Sequence, residues 1–199
     1  FSGAIGIGHT RWATHGEPND KNSHPHSSNS NELYIVHNGI IENYASLKQE
    51  LIAEGYKFHS DTDTEVLVNL IEHIQIKENI KLGEAVQLAL KYVVGAYAIA
   101  VIDIKKPDEI VVARLGSPLC IGVGEDEYFI GSDVTPFLDH TKDVVYLKDG
   151  EMAIIRNHKR TQYRKIKDDS FTNPTVEKLE IDLAKIQKKG FDHFMLKEI

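Results

Sequence analysis

The sequence holds one cysteine, Cys120. A lone thiol cannot close an intrachain disulfide, and such sparse use of cysteine fits a reducing, cytoplasmic compartment, which is the expected location. Positive charge is also scarce. The 23 Lys and Arg stand against 30 Asp and Glu, for a formal net charge of −7. Phosphate-rich partners need a basic face, so neither nucleic acid nor an anionic membrane is an expected partner. No apolar run approaches the ~20 residues of a membrane span. The longest, Tyr92 to Ile102, contains Gly95 and stops at Asp103. No signal peptide is visible. The chain opens at Phe1 without a methionine and runs straight into a motif, so it is expected to be an excised piece. What remains is ordinary: 199 residues, 41% hydrophobic and 27% charged, enough for one sizeable domain with a core.

Ala4 to Gly8 reads as a short strand. Thr10 to Asn31 is dense in Asn, Ser, His and Pro, cannot bury a core, and reads as loop. Leu33 to Val36 fits a buried strand with His37-Asn38-Gly39 at its end. Tyr44, Leu47 and Leu51 share a helix face, with Asn43 placed to cap it and Gly55 to end it. A second helix starts at Thr62, where Thr62 and Glu65 have capping-box spacing and Leu67, Leu70, Ile71 and Ile74 form the apolar stripe. A third covers roughly Leu82 to Tyr92. From Gly95 the pattern turns to strands: Ala96 to Ile104, Glu109 to Arg114, Leu119 to Val123, Tyr128 to Gly131, Val144 to Leu147, Met152 to Arg156 and Gln162 to Ile166. Turn signals such as Asp149-Gly150 separate them. Asp168 to Lys189 lacks a clean period and reads as extended wrapping or linker. Grouped helices and strands, rather than strict alternation, indicate α+β layers.

Polar residues that could carry chemistry cluster in three places. In His9-Thr10-Arg11-Trp12-Ala13-Thr14-His15-Gly16, Arg11 offers a planar fork suited to a carboxylate, with Thr14 and His15 adding polar groups nearby. The plain alternative is a surface loop with an Arg ion pair. In His37-Asn38-Gly39, a side-chain amide beside a glycine N–H could form an oxyanion hole, or simply a turn. Asp63, in the first turn of a helix, could bind an ammonium group or merely complement the helix dipole. The histidines His9, His15, His24, His26 and His37 raise the alternative of a zinc site. Their spacing matches no recognisable ligand set, and no metal is expected. Cys120 sits in an apolar strand, where free cysteine is usually inert.

Taken together, Gly6 to Pro18 (GIGHTRWATHGEP), Asn22 to His26 (NSHPH), His37 to Asn43 (HNGIIEN), Ser60 to Val66 (SDTDTEV) and Gly116 to Leu119 (GSPL) resemble the class II glutamine amidotransferases. Within them the chain is most similar to the glutaminase domains of hexosamine-phosphate synthases. Phe191 to Ile199 (FDHFMLKEI) is similar to the start of the linker toward their sugar-isomerase half, which divides the chain into a glutaminase domain over 1–190 and a linker over 191–199. Purine-pathway members typically carry Tyr-Ser where Trp12-Ala13 stand.

The resemblance implies a four-layer αββα sandwich of the N-terminal-nucleophile hydrolase type. It implies hydrolysis of L-glutamine by an N-terminal Cys, whose free amine serves as base, and transfer of the ammonia to fructose 6-phosphate on isomerase domains to give glucosamine 6-phosphate. It implies no cofactor, and a homo-oligomer in the full enzyme. By the same resemblance Arg11 clamps the substrate α-carboxylate, supported by Thr14 and His15, and Trp12 lies on the closing loop. Asn38 and Gly39 form the oxyanion hole, Asp63 meets the α-ammonium, and His24 and His37 are supporting residues. The nucleophile, its amine and at least one central strand are expected ahead of Phe1. A polypeptide starting at Phe1 is therefore expected to be inactive. Another class II amidotransferase, or a non-catalytic glutamine-binding module, is the alternative reading.

Overall fold

A computed structural model describes residues 4–11, 13, 15–156 and 159–180. Eleven strands and three helices follow in the order β1 (His26–Ser27), β2 (Leu33–Ile41), α1 (Tyr44–Ala53), α2 (Asp63–Glu78), α3 (Leu82–Leu90), β3 (Gly95–Asp103), β4 (Glu109–Leu115), β5 (Cys120–Val123), β6 (Tyr128–Gly131), β7 (Asp143–Tyr146), β8 (Glu151–Arg156), β9 (Gln162–Lys165), β10 (Phe171–Thr172) and β11 (Glu177–Lys178). The strands form a seven-stranded sheet, β1-β2-β3-β4-β8-β9-β10, and a four-stranded sheet, β11-β7-β5-β6. Strand pairing is antiparallel in both.

The central strands are apolar throughout because both faces of the large sheet are covered. Successive side chains point to opposite faces. On one face Ile35, Tyr97, Ile99, Val101, Val111, Met152 and Ile154 pack with Val66, Leu67, Ile71, Val86 and Ala89 of the helices. On the other, Ala98, Ala100, Ile110, Val112, Ala153 and Ile155 pack with Ile121 and Val145 of the small sheet. Over the outer face of the small sheet, Cys120 and Val144 are covered by Phe137 of a 3-10 turn, Thr135–Phe137. The described residues thus show three regular layers, helices, large sheet and small sheet, with this turn standing where the fourth is implied.

Two strand expectations change. Ala4 to Gly8 has no ladder partner among the described residues. Ile5 and Ile7 instead lean on the core between the sheets. Strand β2 does not stop before His37 but continues through Asn38 and Gly39 to Ile41, so Asn38-Gly39 is not a turn. Gly39 lies at φ +130°, where a Cβ would run into the Ala96 carbonyl, and Gly95 at φ +127°, where one would meet the Ile40 carbonyl. This reciprocal pair of glycines lets the β2 and β3 backbones approach at the point that displays Asn38.

At the helix starts, Thr62 Oγ1 accepts from the Glu65 N–H at 3.3 Å, which is half of the expected capping box. The Glu65 carboxylate turns instead to the His59 and Ser60 N–H groups and the Ser60 hydroxyl. Asn43 occupies the cap position of α1 without capping it. Its amide reaches across to the Tyr92 carbonyl at 2.8 Å and the Val94 N–H at 2.9 Å, fixing the approach to β3.

Candidate active site

The polar stretch before β2 folds over the end of that strand and the start of α2. Asn22, fully buried, anchors it by donating to the Glu17 carbonyl at 3.0 Å and accepting from the Asp61 N–H at 2.9 Å. Arg11 adopts a left-handed conformation, φ 52°. Its guanidinium donates to the carbonyls of His15, Gly16 and Glu17, each at 3.0 Å. These three bonds use three of the five N–H donors, so Arg11 builds the loop it stands in. The His15 ring meets Tyr44 edge-on at 5.1 Å. Trp12 and Thr14 lie outside the described residues, as does the 191–199 segment.

His9, His24, His26 and His37 are brought together. His9 and His24 lie 4.4 Å apart between ring centres, His24 and His26 4.8 Å. Their nitrogens meet hydroxyls: His24 Nε2 and His37 Nδ1 both bond Thr64 Oγ1, at 3.1 and 3.0 Å, and His26 Nε2 bonds Thr62 Oγ1 at 3.0 Å. Among the described residues no group of three or more His, Cys, Asp or Glu is arranged to hold a metal ion.

The partners of His37 order the protons. The Ala96 carbonyl, 3.5 Å from His37 Nε2, can only accept, so a neutral His37 carries its proton there. Nδ1 then accepts from the Thr64 hydroxyl, and Thr64 accepts in turn from His24. His37 and His24 are thereby linked through Thr64, which sequence reasoning passed over. Burial pushes the pKa of His26 and His37 below the usual imidazole range. Burial, reinforced by His9, His26, His37 and Arg11, lowers that of His24 to about 3.

This cluster makes stability acid-sensitive. The folded state resists protons that the unfolded chain accepts near pH ~6.5, so the contribution is fully present above that pH. It is lost as pH falls from there toward the depressed folded-state values. The urea midpoint is expected to fall between about pH 7.5 and about pH 5, and His24→Asn to flatten that slope. A wild-type midpoint that stays level or rises on acidification would contradict the neutral cluster.

Asp63 is buried, and its Oδ2 accepts from the Ile41 N–H at 2.7 Å, stapling the start of α2 to the end of β2. A cleft of about 950 Å³ opens between the two sheets, with Ile7, His9, Val36, Asn38, Ala98 and Leu119 in its walls. Arg11, His15, Gly39 and Asp63 are not in its lining. Asn38 reaches it because it shares a strand face with Val36, while its neighbour His37 turns to the helices. His9 Nε2 lies 2.5 Å from Asn38 Oδ1. The contact joins residues 29 apart, and no local pattern announces it. Cys120 stands elsewhere, buried under Phe137, its thiol pushed up to about 11 by burial, which makes it a poor nucleophile.

The sequence model of a family described as a glutamine amidotransferase domain matches residues 1–190. The chain belongs to this family. It is 54% identical, over its whole length, to a glutamine–fructose-6-phosphate aminotransferase (isomerizing) of Bacteroides thetaiotaomicron, covering 32% of that protein. To the protein of the same name from Chlorobaculum tepidum it is 53% identical, over 98% of this chain and 32% of the relative. It therefore spans about a third of the length of these curated relatives. Among solved structures, the glutamine phosphoribosylpyrophosphate amidotransferase from B. subtilis, complexed with ADP and GMP, superposes with a TM-score of 0.67 at 29% identity. That match covers 80% of this chain and 34% of the other. The N-terminal-nucleophile amidotransferase fold implied by the motifs is the fold of these neighbours. The described residues carry His37-Asn38-Gly39 on a central strand, and no helix among them is long and apolar enough to cross a membrane.

Proposed function

We propose that this chain is the glutaminase part of an enzyme that hydrolyses L-glutamine and passes the ammonia to fructose 6-phosphate, forming glucosamine 6-phosphate. The observation that carries this reading is Asn38, a side-chain amide on a central strand held by its contact with His9, within a chain more than half identical to enzymes named for that reaction. In this reading Arg11, Thr14 and His15 bind the amino-acid end of glutamine, Trp12 closes over it and Asp63 meets the ammonium. A thiolate adds to the side-chain amide carbon, and the carbonyl π electrons move to oxygen. Asn38 Nδ2 and the Gly39 N–H stabilise that oxyanion. The nucleophile's base, which took the thiol proton, passes it to the departing NH₂ group, the C–N bond breaks to release ammonia, and water then hydrolyses the thioester to glutamate and the free thiol.

Cys120, with its raised pKa and burial, is not the thiolate. The attacking group in the intact enzyme is the N-terminal cysteine implied by the family resemblance. The intact enzyme is further proposed to be a cytoplasmic homo-oligomer, in a compartment that suits the free Cys120 thiol. The test supplies the intact protein with glutamine and fructose 6-phosphate. Equal amounts of glutamate and glucosamine 6-phosphate are expected. Glutamate without the amino sugar, or an amino product from another acceptor, would reassign the chain within the family.

A further inference from the structure

We propose that His9 is a positioning residue for the Asn38 amide, and that the backbone N–H of Arg11 dictates the proton pattern by which it acts. The inference rests on reading Asn38 as the oxyanion donor and names what makes it one. An asparagine amide is nearly symmetric in shape, and rotation by about 180° exchanges its carbonyl oxygen for its NH₂ group. Only one of the two orientations offers N–H to an oxyanion. The other would present a carbonyl oxygen to developing negative charge. A donor motif on a strand therefore needs a second group that selects the orientation.

The structure supplies one in two steps. The Arg11 N–H donates to His9 Nδ1 at 2.9 Å. A backbone N–H has no acceptor role, so Nδ1 must be bare, and a neutral His9 carries its proton on Nε2. His9 Nε2 lies 2.5 Å from the Asn38 amide, and a bound N–H there requires Oδ1 as the acceptor. Nδ2 is left as the end of the amide turned away from His9. Arg11 directs its N–H onto the ring from a left-handed backbone, φ 52°, a conformation uncommon for a residue with a side chain. The guanidinium bonds to the carbonyls of His15, Gly16 and Glu17 hold that conformation in place. The ring itself is braced by His24, 4.4 Å away. One residue thus sets the loop through its side chain and the histidine tautomer through its main chain.

The test uses the intact enzyme and two isosteric comparisons. Glutamine's terminal amide can reach the place of the imidazole Nε2 and donate to Asn38 Oδ1, whereas asparagine's reaches only the place of Nδ1. His9→Asn is expected to lower kcat for glutamine hydrolysis by about ten- to a hundredfold, with KM within about twofold, because the misplaced donor matters only once the oxyanion forms. His9→Gln should recover most of that loss. The double variant His9→Asn/Asn38→Ala should be no slower than Asn38→Ala alone, since His9 acts through the amide that has been removed. Losses that multiply in the double variant would overturn the inference, as would a parental kcat in His9→Asn while Asn38→Ala is slow. A parental kcat in Asn38→Ala would overturn the oxyanion reading itself and this inference with it. Because the comparison of Asn with Gln is made between two variants of similar size, a general loss of folding would lower both and also count against it.

Discussion

Asn38→Ala in the intact enzyme is expected to lower turnover of glutamine by about 10²–10³, with a much smaller change in KM. The ground-state amide carries no full charge on its oxygen, but the tetrahedral intermediate does, so a donor aimed at that oxygen stabilises the transition state selectively. Asn38 is placed to act this way because β2 continues straight through it, paired in register with Ala98 of β3, rather than turning. The strand fixes the Cβ, and His9 holds the amide. A mere packing role predicts a different outcome: about 1 kcal/mol of lost stability and nearly intact turnover per folded molecule. Kinetics and a melting curve on the same preparation separate the two. Near-normal kcat in a destabilised variant would end the oxyanion assignment.

Arg11→Ala is expected to raise the KM for glutamine about ten- to a hundredfold, the effect of losing a charge-assisted contact of roughly 1.5–3 kcal/mol. The structure adds a second source for the loss. The guanidinium that would meet the substrate carboxylate also ties three successive carbonyls of its own loop, so its removal loosens the pocket wall as well as deleting a charge. For that reason Arg11→Lys should recover little, since an ammonium cannot reproduce the planar fork that spans those carbonyls. An alanine variant with the parental apparent affinity for glutamine would remove Arg11 from the substrate site. A lysine variant with parental affinity would show that only charge matters there.

Much of the fold was legible because its elements are locally consistent. The spacing of Leu67, Leu70, Ile71 and Ile74 gave α2, and the turn at Asp149-Gly150 separated β7 from β8 within a residue or two. Ala4 to Gly8 misled because an alternating apolar pattern states a preference for extended backbone, while a strand also needs a neighbour with free N–H and C=O groups. At Asn38-Gly39 the sequence left a turn open beside the oxyanion-hole reading, and the structure removes the turn. The pair is a strong turn signal on its own, but here the positive φ of Gly39 serves close passage of two strands.

The site divides along the same line. Motif identity alone determined the family, the residue types on offer and the absence of a disulfide, because these depend on which side chains exist and in what order. Tertiary structure alone decided what each of them touches. It set Asp63 against the Ile41 N–H, turned Arg11 onto its own loop, gathered neutral histidines around Thr64 and brought His9 to Asn38. The physical reason is that a hydrogen bond is fixed by separation and angle within a few tenths of an ångström. The His9–Asn38 and His24–Thr64 contacts join residues 29 and 40 apart in the chain, a distance over which the sequence carries composition but no geometry.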